Sequence, residues 1–148
     1  MPADLHATVA GRLGRLDQRY TTNRRGLVDA LVGSGRPLTP AELAAGGESA
    51  LSSLYRNLGV LEEAGVLRRV ASTDGQARYE LTEELTEHHH HLVCRLCGRV
   101  DDVDAPPRLE SAMTRGMEEM AAASGFHPEE HRLDVVGVCA DCRRSARQ

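Results

Sequence analysis

Apolar residues set the rhythm of the first sixty positions. Leu5, Val9, Leu13 and Leu16 recur at helical spacing, and Leu27, Val28, Leu31 and Val32 make a second stripe after Thr21-Thr22. Thr39-Pro40-Ala41-Glu42 has the form of a capping box with proline at the first helical position. It opens a short third helix that ends near Gly46-Gly47. Ser49 is placed to cap a fourth helix, whose Leu51, Leu54, Leu58 and Leu61 face inward and which stops near Gly65. Then the period changes. Residues 66–71 (VLRRVA) and 76–81 (QARYEL) flank Thr73-Asp74-Gly75, and Asp-Gly between two such runs signals a hairpin. Three or four helices followed by a two-stranded wing describe a winged helix-turn-helix.

Residues 82–87 (TEELTE) are polar and read as a linker. Beyond them, strand-like His88 to Val93 and Arg99 to Val103 surround a Cys-x-x-Cys, and Leu109, Met113, Met117 and Met120 stripe a long helix ending at Gly125. Arg132 to Val138 forms a last strand leading into Cys139. Strand, strand, helix, strand predicts a small α/β unit whose helix and sheet edge are natural dimer surfaces, although a methionine stripe is more often plain core packing. The expected fold is therefore α+β: a winged helix-turn-helix over 1–81, a hinge over 82–87, and a small α/β dimerisation domain over 88–148.

Composition narrows the setting. With 148 residues and 41% apolar content the chain suits one ordinary domain or two small ones. It has no apolar run near the roughly 20 residues that cross a bilayer, and no basic-then-apolar start, so a cytoplasmic protein with no membrane partner is expected. All eighteen basic side chains are arginine. Residues 1–81 carry ten Arg against nine acids and residues 82–148 eight against thirteen, so only the first half is plausible against phosphate.

Four cysteines form two Cys-x-x-Cys pairs, Cys94/Cys97 and Cys139/Cys142. In a reducing compartment that pattern favours metal over disulfides, and four thiolates suit a closed tetrahedral structural Zn²⁺ site. A thioredoxin-like redox pair would instead open a helix in a longer α/β fold. Directly before the first pair stand His88, His89, His90 and His91. Alternate residues of a strand face opposite ways, so His88 and His90 point to one side, His89 and His91 to the other, and the run seeds two sites. Nearby acidic or imidazole partners are Glu80, Asp101, Asp102, Asp104, Glu110, His127 and His131. On the fourth helix Ser52, Ser53, Tyr55, Arg56 and Asn57 are the residue types that read base edges and phosphates from a major groove. His127-Pro128-Glu129 before Cys139 and Cys142 echoes a zinc deaminase, but no proline precedes Cys139 and the gap is too short. With neither a phosphate loop nor a Ser/His/Asp arrangement, an enzyme is not expected.

These pieces together resemble the ferric uptake regulator family of bacterial metal-responsive repressors over nearly the full length. The matching segments are Tyr20-Thr21-Thr22-Asn23-Arg24-Arg25, Ser53-Leu54-Tyr55-Arg56-Asn57-Leu58, Arg78-Tyr79-Glu80-Leu81, the HHHHLVCRLCG run from His88 to Gly98, and Gly125-Phe126 through His131 to Cys139-Ala140-Asp141-Cys142. The resemblance implies a homodimer that binds an inverted-repeat operator in double-stranded DNA, with a divalent metal as corepressor. It implies that Cys94, Cys97, Cys139 and Cys142 hold structural zinc. It makes Glu80, His89, His91 and Asp102 the regulatory site, and His88, His90, Glu110 and His131 a second site in the dimerisation domain. Arg19 and Arg24 become candidates for backbone or minor-groove contacts. Many relatives supply a hinge-site histidine just before the third helix, where this chain has Pro37. The turn at Gly46-Gly47-Glu48 is shorter than in relatives and the helix from Pro107 longer, which bears on Glu110. Zinc-sensing relatives carry a cysteine near Thr82, and peroxide-sensing ones an Asp where Glu80 stands. The nitrogen and oxygen ligands left suit Fe²⁺, Mn²⁺, Ni²⁺ or Zn²⁺. A metal-buffering or protein-interaction module is the rival from another class, and a peroxide-responsive repressor the rival within the family.

Overall fold

The computed structural model describes residues 4–46 and 50–147. Helix α1 (Leu5–Gly14) begins where the Asp4 side chain accepts from the Ala7 amide, and it buries Leu5, Val9 and Leu13. Helix α2 (Thr22–Ser34) is capped by Thr21 and ends at Gly35 in the left-handed conformation. In α3 (Pro40–Ala45) both halves of the capping box form between Thr39 and Glu42. Helix α4 (Leu51–Glu63) buries Leu54, Leu58 and Leu61. Strands β1 (Leu67–Val70) and β2 (Arg78–Leu81) pair antiparallel, with Arg68 opposite Glu80. The inward residues of these helices, with Val66, Leu67, Tyr79, Leu81 and Leu85, make one continuous core.

The second half is a three-stranded sheet of β3 (His90–Cys94), β4 (Val100–Val103) and β5 (Asp134–Gly137), in the order β4-β3-β5. Strand β3 runs antiparallel to β4, which places His91 beside Asp102. It runs parallel to β5, which places His91 beside Asp134 as well. Helix α5 (Pro107–Ala123) makes the crossover, and α6 (Ala140–Ser145) closes the chain.

Several expectations need correction. Leu51 is 57% exposed, because as the first residue of α4 it lies beyond the end of the core. Ser49 and most of the turn before it lie outside the described residues. Leu16 follows the end of α1 and is exposed, as is Val32. Residues 82–87 are no free linker: Glu83–Leu85 forms a 3-10 turn whose Leu85 is 0% exposed in the N-terminal core. The methionine stripe is not core packing in the protomer, since Ala121 is the one buried residue of α5 and Met120 is 70% exposed. Nothing in the residue pattern announced α6.

Candidate metal centres and nucleic-acid face

Three groups of metal-ligating side chains converge, each with one ligand atom per residue and all such atoms within 4.8 Å of one another. Cys94, Cys97, Cys139 and Cys142 form the first. The Cys97 and Cys139 sulfurs are 3.9 Å apart, close to the roughly 3.8 Å edge of a tetrahedron with Zn–S bonds of about 2.3 Å. The Cys139 amide donates to Cys94 Sγ at 3.4 Å. Such backbone donors from Cys139 and Cys97 draw the Cys94 thiol down to about 6, while hydrogen bonds among the sulfurs push Cys142 up to about 12. Four sulfurs this close together fit a soft dication.

Glu80, His89, His91 and Asp102 form the second group, between the two halves of the fold. Glu80 comes from wing strand β2, and its Oε2 lies 3.0 Å from the Nε2 of both His89 and His91. Arg68 Nε donates to its other oxygen at 2.7 Å. Burial alone would raise the Glu80 carboxyl, but the two imidazoles and the guanidinium outweigh it and hold Glu80 far below the usual carboxylate range. Asp102 Oδ1 stands 3.8 and 3.7 Å from the same two nitrogens. Burial raises the Asp102 carboxyl, partly offset by His89.

Each histidine's other nitrogen also has an acceptor. His89 Nδ1 donates to the Glu87 carbonyl at 2.9 Å, and His91 Nδ1 faces Asp134 Oδ1 at 3.2 Å. The hydrogen bond to Glu80 lifts the His89 pKa to about 9. At His91 burial pulls down, and Glu80 and Asp134 pull up more. With Nδ1–H committed, both rings turn Nε2 toward the shared point, the arrangement seen around histidines that ligate metal. An open groove lined by Leu31, Val32, Arg36, Glu80, His89 and Asp102 gives an ion a way in. Pro37 is fully buried, and among the described residues Glu80 is the one member of the group that comes from the helices and wing.

The third group sits on the opposite face. Glu110 reaches His90 Nε2 at 2.8 Å, His131 Nε2 at 2.7 Å and His88 Nε2 at 3.1 Å. Its carboxyl is held below its ordinary value, chiefly by the His90 hydrogen bond. His88 Nδ1 meets Glu83 Oε2 at 3.2 Å. His90 Nδ1, in contrast, is buried with no partner among the described residues. A cation on His90 Nε2 would move the ring proton to that orphaned atom, a cost the second group does not carry.

Three neighbours escaped prediction: Glu83, Asp134 and Arg68. Arg68 was within reach of the hairpin register, being opposite Glu80, whereas Asp134 depends on a parallel pairing that the sequence does not mark.

Of the residues expected to face nucleic acid, Ser52, Tyr55 and Arg56 are exposed and Ser53 half-buried on one side of α4, and Arg19 is exposed. Arg24 is a correction. It is 8% exposed, and its guanidinium donates to Asn57 Oδ1 at 3.0 Å and to the Arg19 carbonyl at 2.7 Å. Arg24 and Asn57 therefore brace α2 against α4 and shape the Arg19 turn.

A sequence model described as the ferric uptake regulator family matches residues 16–136. The chain is 28% identical to the peroxide operon regulator of Bacillus subtilis over 132 residues, 85% of each chain. It is 34% identical to the ferric uptake regulation protein of Neisseria meningitidis over 103 residues, 70% of this chain and 67% of that one. In structure it is similar to the Helicobacter pylori ferric uptake regulator, described as having three functional metal-binding sites, with a TM-score of 0.75, 22% identity, and 95% and 94% of the two chains covered.

Proposed function

The chain belongs to the ferric uptake regulator family, whose members are metal-responsive repressors of transcription, and from that premise we propose how its residues divide the work. Cys94, Cys97, Cys139 and Cys142 hold structural zinc, and Glu80, His89, His91 and Asp102 take the regulatory ion, Fe²⁺, Mn²⁺, Ni²⁺ or Zn²⁺. The observation that carries this reading is that Glu80 comes from the wing while His89 and His91 come from the sheet half, with both Nε2 atoms 3.0 Å from one carboxylate oxygen. A divalent cation supplies there a charge that both halves ligate at once. Glu80, His89 and His91 then fix the wing domain (1–81) against the dimerisation domain (88–148) across the 82–87 hinge, and coupling of about 1–3 kcal/mol changes operator affinity roughly 5- to 150-fold.

His88, His90, Glu110 and His131 form a further, weaker site, because His90 Nδ1 is left without a partner among the described residues. The homodimer forms through exposed apolar residues of the second half, among them Leu92, Leu109, Met120, Phe126 and Val135. In it, two copies of Ser52, Ser53, Tyr55 and Arg56 meet successive half-sites of an inverted repeat, and Arg19 reaches the backbone. No helix among the described residues is long and apolar enough to cross a membrane. Against the peroxide-responsive reading, position 80 holds Glu rather than Asp.

The test is His89→Ala/His91→Ala. The double variant should stay a folded, zinc-containing dimer and lose metal-dependent DNA binding. A full metal response would refute the assignment. A metal-buffering module would show no salt-dependent binding to inverted-repeat DNA in any metal state.

A further inference from the structure

Besides the shared ligand group, a direct contact ties the wing to the sheet half. The wing tip, Ser72 to Asp74, lies on the loop from Cys94 to Gly98. Ser72 Oγ donates to the Gly98 carbonyl at 2.6 Å, and Thr73 Oγ1 donates to the Cys94 carbonyl at 2.9 Å. Asp74 accepts from both terminal nitrogens of Arg78 at 2.8 Å, so its carboxylate is not free to swing. It packs so closely that a Cβ on Gly98 would collide with the Asp74 carboxylate, and Gly98 has φ +75° besides. Beneath the polar contacts, Val70 of β1 is buried with Val93 and Val100 from the strands that flank the loop.

We propose that the Cys94–Gly98 loop is a clasp for the wing: by seating Ser72 to Asp74 it holds strand β2, and with it Glu80, in position to share an ion with His89 and His91. This rests on the reading of the Glu80 group as the regulatory metal site. Arg78, fixed by Asp74, lies two residues from Glu80 on the same short strand. The seat is shaped by the cysteine group, since the accepting carbonyls belong to the turn between Cys94 and Gly98, closed by the Gly98 amide on the Cys94 carbonyl at 2.9 Å. Clasp and ion favour the same arrangement of the two halves, so each strengthens the other. The state of the four cysteines therefore reaches the DNA-binding half by contact, and not only by keeping the sheet folded.

Ser72→Ala/Thr73→Val removes both hydroxyl bonds and leaves the cysteines, Gly98 and all proposed ligands in place. Gly98→Ala attacks the same seat from the other side. In full-length protein with its cysteine zinc bound, two quantities are measured: Mn²⁺ affinity by competition with a fluorescent chelator, and hydrogen exchange of amides 70–78 without Mn²⁺. The Ser72/Thr73 variant should keep its zinc and its dimer, exchange faster through the wing, and bind Mn²⁺ more weakly, by up to roughly 5- to 150-fold for two lost hydrogen bonds. Gly98→Ala should shift both in the same direction. Unchanged exchange and unchanged affinity in the Ser72/Thr73 variant overturn the clasp. If wild type and His89→Ala bind Mn²⁺ equally, the reading of the Glu80 group falls, and the exchange result alone then decides whether the wing is clasped.

Discussion

His91 is gripped from three strands at once: Glu80 of β2 and Asp102 of β4 face its Nε2, and Asp134 of β5 faces its Nδ1. Asp134 touches no proposed ion, yet it fixes which nitrogen His91 offers. Asp134→Ala should weaken regulatory metal binding roughly 10- to 100-fold with zinc content unchanged, measured by chelator competition. The protons at this point also set a pH dependence. His89 is raised from 6.5 to about 9 in the folded protein, so the stability from its imidazolium on Glu80 is fully present below pH 6.5 and lost as pH rises through about 9. An ion must displace that proton. Its affinity should therefore climb with pH up to about 9, by at most about tenfold per unit for each proton released, as proton-release calorimetry in two buffers would measure. Glu80, held far below the usual carboxylate range, stays ionised throughout and adds nothing to that slope.

At the scale of elements, strand parity read the four histidines onto two faces, and the structure joins His89 and His91 to Glu80, and His88 and His90 to Glu110. The capping box of α3 and the hairpin were equally legible, because each is set by residues only a few positions apart. What could not be read depends on distant chain. Arg24 looks like a free cation until Asn57, 33 residues on, claims it. Leu85 sits in a polar stretch that reads as linker, and only the assembled helices and wing show that it plugs their core. Leu85→Ala should cost about 2–5 kcal/mol in urea unfolding of the full chain, as other buried leucines do. A cost near zero would mean that the hinge is loose.

For the whole molecule, the described residues of the two halves meet through different kinds of chemistry: a carboxylate with two imidazoles, the wing tip on the cysteine loop, and the buried Val70, Val93 and Val100. The cysteine group also pins the chain's end to β3, since the Cys139 amide bonds Cys94. Cys94→Ser should release the zinc and leave monomer or unfolded chain in sedimentation, an outcome quite unlike that of the histidine variant. Whether an ion at Glu80, His89, His91 and Asp102 governs DNA binding is decided by one titration. Wild type and His89→Ala/His91→Ala, each holding only cysteine-bound zinc, are titrated onto a labelled A/T-rich inverted-repeat duplex from a library that includes the operator. Anisotropy is followed with added Fe²⁺, Mn²⁺, Ni²⁺ or Zn²⁺. Wild type should bind in a metal-dependent, salt-sensitive way and the variant not at all; equal binding by both, or none by wild type with any metal, rules out an ion at this group as the switch.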